Sequence, residues 1–325
     1  MGNLEFALAS PSAGERSDFF SMMNRGMDGG ADALAQAGVG LVSVANNHIF
    51  EHGPDALKRT LANLERVGIA HVGSRTKPVV IKEMKGMSLA FLSWSLLPDV
   101  YWPDENPSNY YNVTSDIQDI LGEVAMVRET VDRVVLSLHW GNEFIRQPSK
   151  DQQISAHRLI DGGVDVIIGH HPHILQPIET YEGGIIVYSL GNCIFDHWER
   201  TAMTGAVVRI LIGDRIDYEL QPLEIDRKTY IPAPLHREDG RAKKLIEEIS
   251  RLHPLDRDEY NRALYAIRCK YRVSLIMHFV RNIHRYDLRD LLGLLIWGMK
   301  RIIFIFSIIG KEKKTPGVVY EGPIR

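Results

Sequence analysis

Cysteine is nearly absent: the 325 residues hold two, Cys193 and Cys269. That excludes a disulfide framework and a cysteine-based zinc site. A charge surplus is lacking too. The formal net charge is −3 with both signs interspersed, so nucleic acid is not expected as a partner. No internal repeat or low-complexity segment occurs. The opening MGNLEFALAS has no basic stretch followed by an apolar one, so no signal peptide is visible. One long apolar run exists, 291–310, but Lys300 and Arg301 sit in its middle. Each would cost about 2.5–3.5 kcal/mol at the centre of a spanning helix. The run therefore suits a helix lying in a membrane surface better than one crossing it. A hydrophobic helix docked on the domain or on a partner is the competing reading.

What is present reads as alternation. Residues 28–37 can form a helix stopped by Gly38, and 40–45 follow as a strand. Pro54 suits a first helical turn, Leu57, Leu61 and Leu64 recur at helical spacing, and Gly68 ends that helix. Residues 116–130 and 150–160 read as helices; 133–138, 164–168 and 184–189 read as short apolar strands, the third of these four strands broken by Gly169. Such alternation predicts an α/β domain with a largely parallel sheet covered on both faces. Residues 204–225 read as an antiparallel hairpin at the sheet's edge or end. A Pro-rich connector begins near 231, and a charged helical region runs to about 284. Asp256 and Glu259 fit a capping box there. The expected division is a domain over 1–230 and a helical C-terminal extension over 231–325, with an apolar, membrane-associated helix at about 288–310.

Polar residues gather where the strands end. The segments ANNHIFEHG (45–53), LHWGNEF (138–144), GHHPH (169–173) and SLGNCIFD (189–196) each follow a strand. In open α/β sheets, ligand sites form outside the carboxyl ends of strands. Asn46, Asn47, His48, His139, His171, His173 and Asn192 are thereby delivered toward one rim. One histidine after a strand is commonly a hydrogen-bonded structural residue; recurrence at successive strand ends favours a site. Imidazole and carboxamide donors with carboxylates suit Zn²⁺, Mn²⁺, Fe²⁺ or Co²⁺. His171 and His173, stiffened by Pro172 in an extended turn, are expected as ligands, and His170, pointing away, as an outer residue. A His-rich surface turn remains the alternative for this stretch.

The stretches VANNHIFEHGPDAL, LSLHWGNEF, IIGHHPHILQPIE and VYSLGNCIFD, in this order, resemble the CapA family of poly-γ-glutamate capsule proteins, a branch of the calcineurin-like metallophosphoesterases. The similarity covers about residues 1–225. It implies an α/β/β/α sandwich, two divalent metal ions (Mn, Zn or Fe) at the strand ends, and a place in the bacterial cell envelope or on its membrane surface. It further implies Asn47, His139, His171 and His173 as metal ligands and His48 as the catalytic group. NLE near the start resembles the family's second motif, which makes Glu5 a ligand with Asn3 beside it; an ordinary surface acid is the competing reading of Glu5. Asn46, Glu51, Glu143, His170, Asn192 and Asp196 are expected around the ligands or toward substrate. Trp140 and Cys193 are expected in the core, and His52, His71, His157 and His197 as structural or surface residues.

Two departures from the family pattern matter. Its opening strand and Gly-Asp motif, expected upstream of NLE, do not occur here, so either the chain is a fragment or mis-started product, with the sandwich N-terminally truncated, or one metal site is incomplete. Glu51 stands where the family has Asp. Two functions stay open. One is a metal-dependent hydrolase acting on a phosphoester or on a linkage of an anionic polymer such as poly-γ-glutamate. The other is a non-catalytic envelope scaffold docking with capsule synthesis machinery, with a membrane contact through 291–310.

Overall fold

The structure, a computed structural model, describes residues 1–10, 25–97, 105–197, 199–236, 238–282 and 284. The apolar run 291–310 lies outside these. The chain forms two compact units, Met1–Ser10 with Asn24–Leu264, and Pro11–Met23 with Tyr265–Arg325.

The first unit opens with β1 (Gly2–Asn3), β2 (Ala7–Leu8), β3 (Arg25–Gly26), α1 (Gly30–Gln36), β4 (Leu41–Ser43), α2 (Gly53–Arg66) and β5 (Ala70–Val72). It continues through β6 (Val79–Met84), β7 (Met87–Ser95), α3 (Ile117–Arg128), β8 (Arg133–His139), α4 (Lys150–Asp161), β9 (Val166–His170), β10 (Ile178–Tyr181) and β11 (Gly184–Val187). The strands β12 (Thr204–Ile212), β13 (Ile216–Ile225) and β14 (Pro232–Pro234) and the helix α5 (Gly240–Ile249) follow. Helix α6 (Arg257–Asn282) begins in this unit and runs into the second.

Side chains cap the starts of α3, α4 and α5, whereas α1 and α2 begin without one. Asp116 accepts from Gln118 N and Ser149 from Gln152 N, contacts worth about 1 kcal/mol each. Asp256 and Glu259 form the reciprocal box that their spacing predicts: each backbone N–H donates to the other's carboxylate, at 3.0 and 2.9 Å.

The strands build two principal sheets. One is β1-β4-β5, all parallel; the other is β10-β11-β9-β8-β7-β6, parallel in its centre with antiparallel edges. Side-chain alternation fixes the layers. Val42 and Val44 pack with Ala31, Leu57 and Leu64 of α1 and α2, so Ser43 faces the other way. Ala90, Leu92 and Trp94 of β7 pack with Ile120, Val124, Ala156 and Leu159 of α3 and α4, so Ser93 also faces away from helices. The two buried hydroxyls meet at 2.5 Å. The order is therefore helices, sheet, sheet, helices: the expected α/β/β/α arrangement.

Three expectations need correction. The hairpin β12–β13 is not an edge of a principal sheet. It forms its own sheet with β14 and covers Leu89, Val135, Val166 and Val187 on the inner face of the six-stranded sheet. Gly169 does not break its strand, because β9 runs on to His170. A Cβ there would lie 2.0 Å from Tyr188 O and 2.5 Å from Trp140 Nε1, so the glycine permits a close approach rather than a turn. Cys193 is exposed, since the chain after β11 turns outward.

Candidate metal centre

Carboxyl ends of strands from both principal sheets converge on one buried cluster. Glu5 follows β1, Asn46 to His48 follow β4, His139 closes β8, and His171 and His173 follow β9. All of these are buried, Glu5 most exposed at 9%. Backbone bonds lace the loops together: Trp140 N donates to His170 O and Phe144 N to Pro172 O. The turn bearing the two expected ligands is not extended. His171 and His173 have φ of 98° and 57°, left-handed values that non-glycine residues hold only where surrounding structure imposes them.

Glu5 is the centre. Its Oε1 lies 3.2 Å from His173 Nε2, 3.9 Å from His48 Nε2 and 4.0 Å from His139 Nε2. Ligand atoms of Glu5, His171 and His173 all lie within 4.8 Å of one another. Burial would raise the Glu5 carboxyl, yet His173, His139 and His48 hold it well below the usual carboxylate range. Asn3 Nδ2 donates to its Oε2 at 3.3 Å, and Asn46 Nδ2 donates to Asn3 Oδ1 and Leu4 O. Asn46 Oδ1 accepts from the backbone of His48 and Ile49, so it braces the loop instead of facing the cluster.

The imidazoles are individually oriented. Asn47 Oδ1 accepts from His139 Nε2 at 2.7 Å, while Asn47 Nδ2 lies 3.2 Å from His48 Nε2. His48 Nδ1 donates to Glu51 Oε1 at 2.6 Å, so Glu51 keeps the charge and the reach to hold that ring. Burial pushes the His139 imidazole well below its ordinary value. His171 stacks obliquely on His139, ring centres 4.8 Å apart. His173 Nδ1 donates to Asn192 Oδ1 at 2.9 Å. For His173, burial opposes a charge, but Glu5 and then Glu143 raise it to about 9.

Other expected residues sit outside. His170 faces His139 across the β8–β9 pair, and burial lowers its imidazole to about 4. Asp196 is exposed. Trp140 is core, stacked on Tyr188 at 5.8 Å with its Nε1 donating to Tyr188 O. His197, expected to be structural or surface, instead has its ring 5.8 Å from His173 and 5.3 Å from Phe144. Its position in the sequence, one residue beyond the SLGNCIFD stretch, was the available signal.

The donor set fits a divalent cation. Glu5 Oε1 and His139 Nδ1 are buried and have no hydrogen-bond partner among the described residues. With Nδ1 of His173 donating to Asn192, a neutral His173 turns its Nε2 lone pair at the Glu5 carboxylate 3.2 Å away. Two lone pairs face each other stably only with a cation between them, either a proton on Nε2 or a metal ion. Carboxylate with imidazole is a donor set for borderline divalent metals.

The fold and this cluster define an α/β protein of two stacked sheets with a candidate metal centre at their strand ends. The family model described as "Bacterial capsule synthesis protein PGA_cap" matches residues 1–197, and the chain belongs to that family. It is 30% identical over 219 residues to the PGA biosynthesis protein CapA of Bacillus subtilis (strain 168), covering 65% of this chain and 57% of that protein. It is 33% identical over 187 residues to the capsule biosynthesis protein CapA of Bacillus anthracis, covering 54% of this chain and 45% of that one. The chain thus spans about half the length of these relatives. A solved structure described as "Putative 5'-Nucleotidase from Staphylococcus aureus" overlaps with a TM-score of 0.44 at 14% identity, covering 67% of this chain and 43% of that chain. No helix among the described residues is long and apolar enough to cross a membrane.

Proposed function

We propose that the chain is a divalent-metal-dependent hydrolase serving the synthesis or export of poly-γ-glutamate or a related envelope polymer, acting on a phosphoester or a polymer linkage. The observation that carries this reading is the buried Glu5 Oε1, faced by three imidazole nitrogens at 3.2 to 4.0 Å and by no well-aligned donor among the described residues. Glu5, His171 and His173 would hold one ion, and Asn47 and His139 would supply donors to a second. Such ions polarise a phosphoryl or carbonyl oxygen and lower the pKa of water. The chain's own contribution is proton handling and orientation. Glu51 holds His48 Nδ1–H at 2.6 Å, which leaves Nε2 as the atom that takes up or gives back a proton beside the cluster.

Family membership supports the placement in capsule synthesis, with the synthesis machinery as partner and the cell envelope as location. The apolar run 291–310 is assigned to a membrane surface, and flotation of the full chain with anionic vesicles, with and without 286–325, tests that part. Activity is tested with bis(p-nitrophenyl) phosphate and with poly-γ-glutamate, each with Mn²⁺ or with EDTA. Metal-dependent cleavage of one substrate, lost in His48→Asn, is expected. Metal binding without cleavage of either overturns the hydrolase reading.

A further inference from the structure

Asn192 lies beyond the cluster, in the turn between β11 and β12, yet its side chain spans both. Its Nδ2 donates to Ala202 O at 2.9 Å, and its Oδ1 accepts from His173 Nδ1 at 2.9 Å. The first bond decides the second. With the amide nitrogen committed to a carbonyl, only the oxygen can face His173, and that oxygen requires a proton on Nδ1. Nε2 is then the atom presented to Glu5 Oε1, at 3.2 Å.

The segment that anchors Asn192 is itself held to it. Asn192 N donates to Thr204 O, and Gly191 bridges Gly205. A Cβ on Gly205 would lie 1.9 Å from Asn192 O, so the start of β12 meets this turn backbone against backbone. Both Asn192 and His173 are buried, which shields their contact from solvent. The left-handed backbone at His173 is one that surrounding contacts must impose.

We propose that Asn192 is a positioning residue for the metal centre: fixed by the Ala202–Gly205 segment, it locks His173 as an Nε2 ligand and makes the entry of β12 part of the site. The proposal rests on the metal reading given above. An outer partner of a ligating histidine typically governs about 10–100-fold in metal affinity.

The test titrates the full chain with Zn²⁺ by calorimetry and reads ¹⁵N-histidine NMR spectra of the Zn²⁺-loaded protein. In the wild type, His173 is expected to ligate through Nε2 and keep its Nδ1 proton. Asn192→Leu should bind Zn²⁺ about 10–100-fold more weakly, whereas Asn192→Asp, which keeps an acceptor at Nδ1 but loses the donor to Ala202 O, should recover only part of that loss. Ligation through Nδ1 in the wild type overturns the proposal without any variant having to fold. So does a folded Asn192→Leu whose affinity matches the wild type. A wild-type chain that binds no Zn²⁺ removes the metal reading itself, a distinguishable failure.

Discussion

Two glutamate–histidine contacts beside the six-stranded sheet are built differently. At one end of the sheet's connections, Glu179 Oε1 takes His157 Nε2 at 2.8 Å and Gln153 Nε2 at 3.2 Å, while its Oε2 accepts Tyr188 OH at 2.8 Å. His157 also stacks on Tyr181, centres 3.7 Å apart. Each polar atom of that carboxylate is answered, and the network clamps α4 to β10 and the chain beyond β11. At the other, Glu5 Oε1 is ringed by imidazole nitrogens, the nearest His173 Nε2 at 3.2 Å, and meets no well-aligned hydrogen bond among the described residues. A glutamate near a histidine therefore does not mark a site. A buried carboxylate ringed by imidazole nitrogens does, because those lone pairs sit together only with a proton or a metal ion between them.

Substitutions can break this contrast. The largest effect is expected at Glu5. Glu5→Gln should weaken Zn²⁺ or Mn²⁺ binding by more than about 100-fold in calorimetry, beyond what an outer partner of a ligand controls. Glu179→Gln should leave that affinity unchanged. Equal losses in both variants would erase the distinction between the two regions.

Next in size is the joint between them. Tyr188 belongs to the Glu179 network by its hydroxyl and to the site's supporting loop through its carbonyl, which accepts Trp140 Nε1. Gly169→Ala would place a Cβ 2.0 Å from that carbonyl. A loss of about 3 kcal/mol of stability or more is expected, at the upper end for overpacked cores, read by denaturant unfolding. Glu179→Gln should cost somewhat less, about 1.5–3 kcal/mol, the range for hydrogen bonds to a charged group. Thermal melts would sharpen this: Zn²⁺ at 100 times the wild-type Kd should stabilise wild type and Glu179→Gln by about 2.7 kcal/mol, and Glu5→Gln by less than about 0.4 kcal/mol.

The mildest expectation concerns pH. His173, held near 9, is protonated at neutral pH and must lose that proton to ligate. Below its folded pKa the proton competes with the metal, so affinity should rise about tenfold per pH unit from about pH 6 to 8 and level off above about 9. Calorimetry in buffers of different ionisation enthalpy measures the proton released. A flat profile would show that His173 is not a ligand.

How much of this could be read beforehand differs by residue. His139, His171 and His173 stood out because each follows a run of buried β-branched or leucine residues. The alternation of helix and strand likewise located β4, β8, β9 and β11. Glu5 carried no such mark: two residues of strand precede it, and only the likeness to a family motif singled it out. Strand β7 was missed, although it lies inside the six-stranded sheet between β6 and β8. Its sequence MSLAFLSWS mixes serines into an apolar run, and one of them, Ser93, turned out to face the other sheet. The Glu179 network was invisible because it joins residues up to 26 positions apart through geometry alone. His197 reaches the vicinity of His173 by the turn after β11, which no periodicity describes.

Metal content tests the central claim most directly. The full chain is stripped with EDTA, reloaded with Zn²⁺ or Mn²⁺, dialysed and assayed by elemental analysis beside its Glu5→Gln and Glu179→Gln variants. At least one equivalent retained by the wild type and by Glu179→Gln, and much less by Glu5→Gln, is the predicted result. Less than one equivalent in the wild type, or equal retention by Glu5→Gln, contradicts the account.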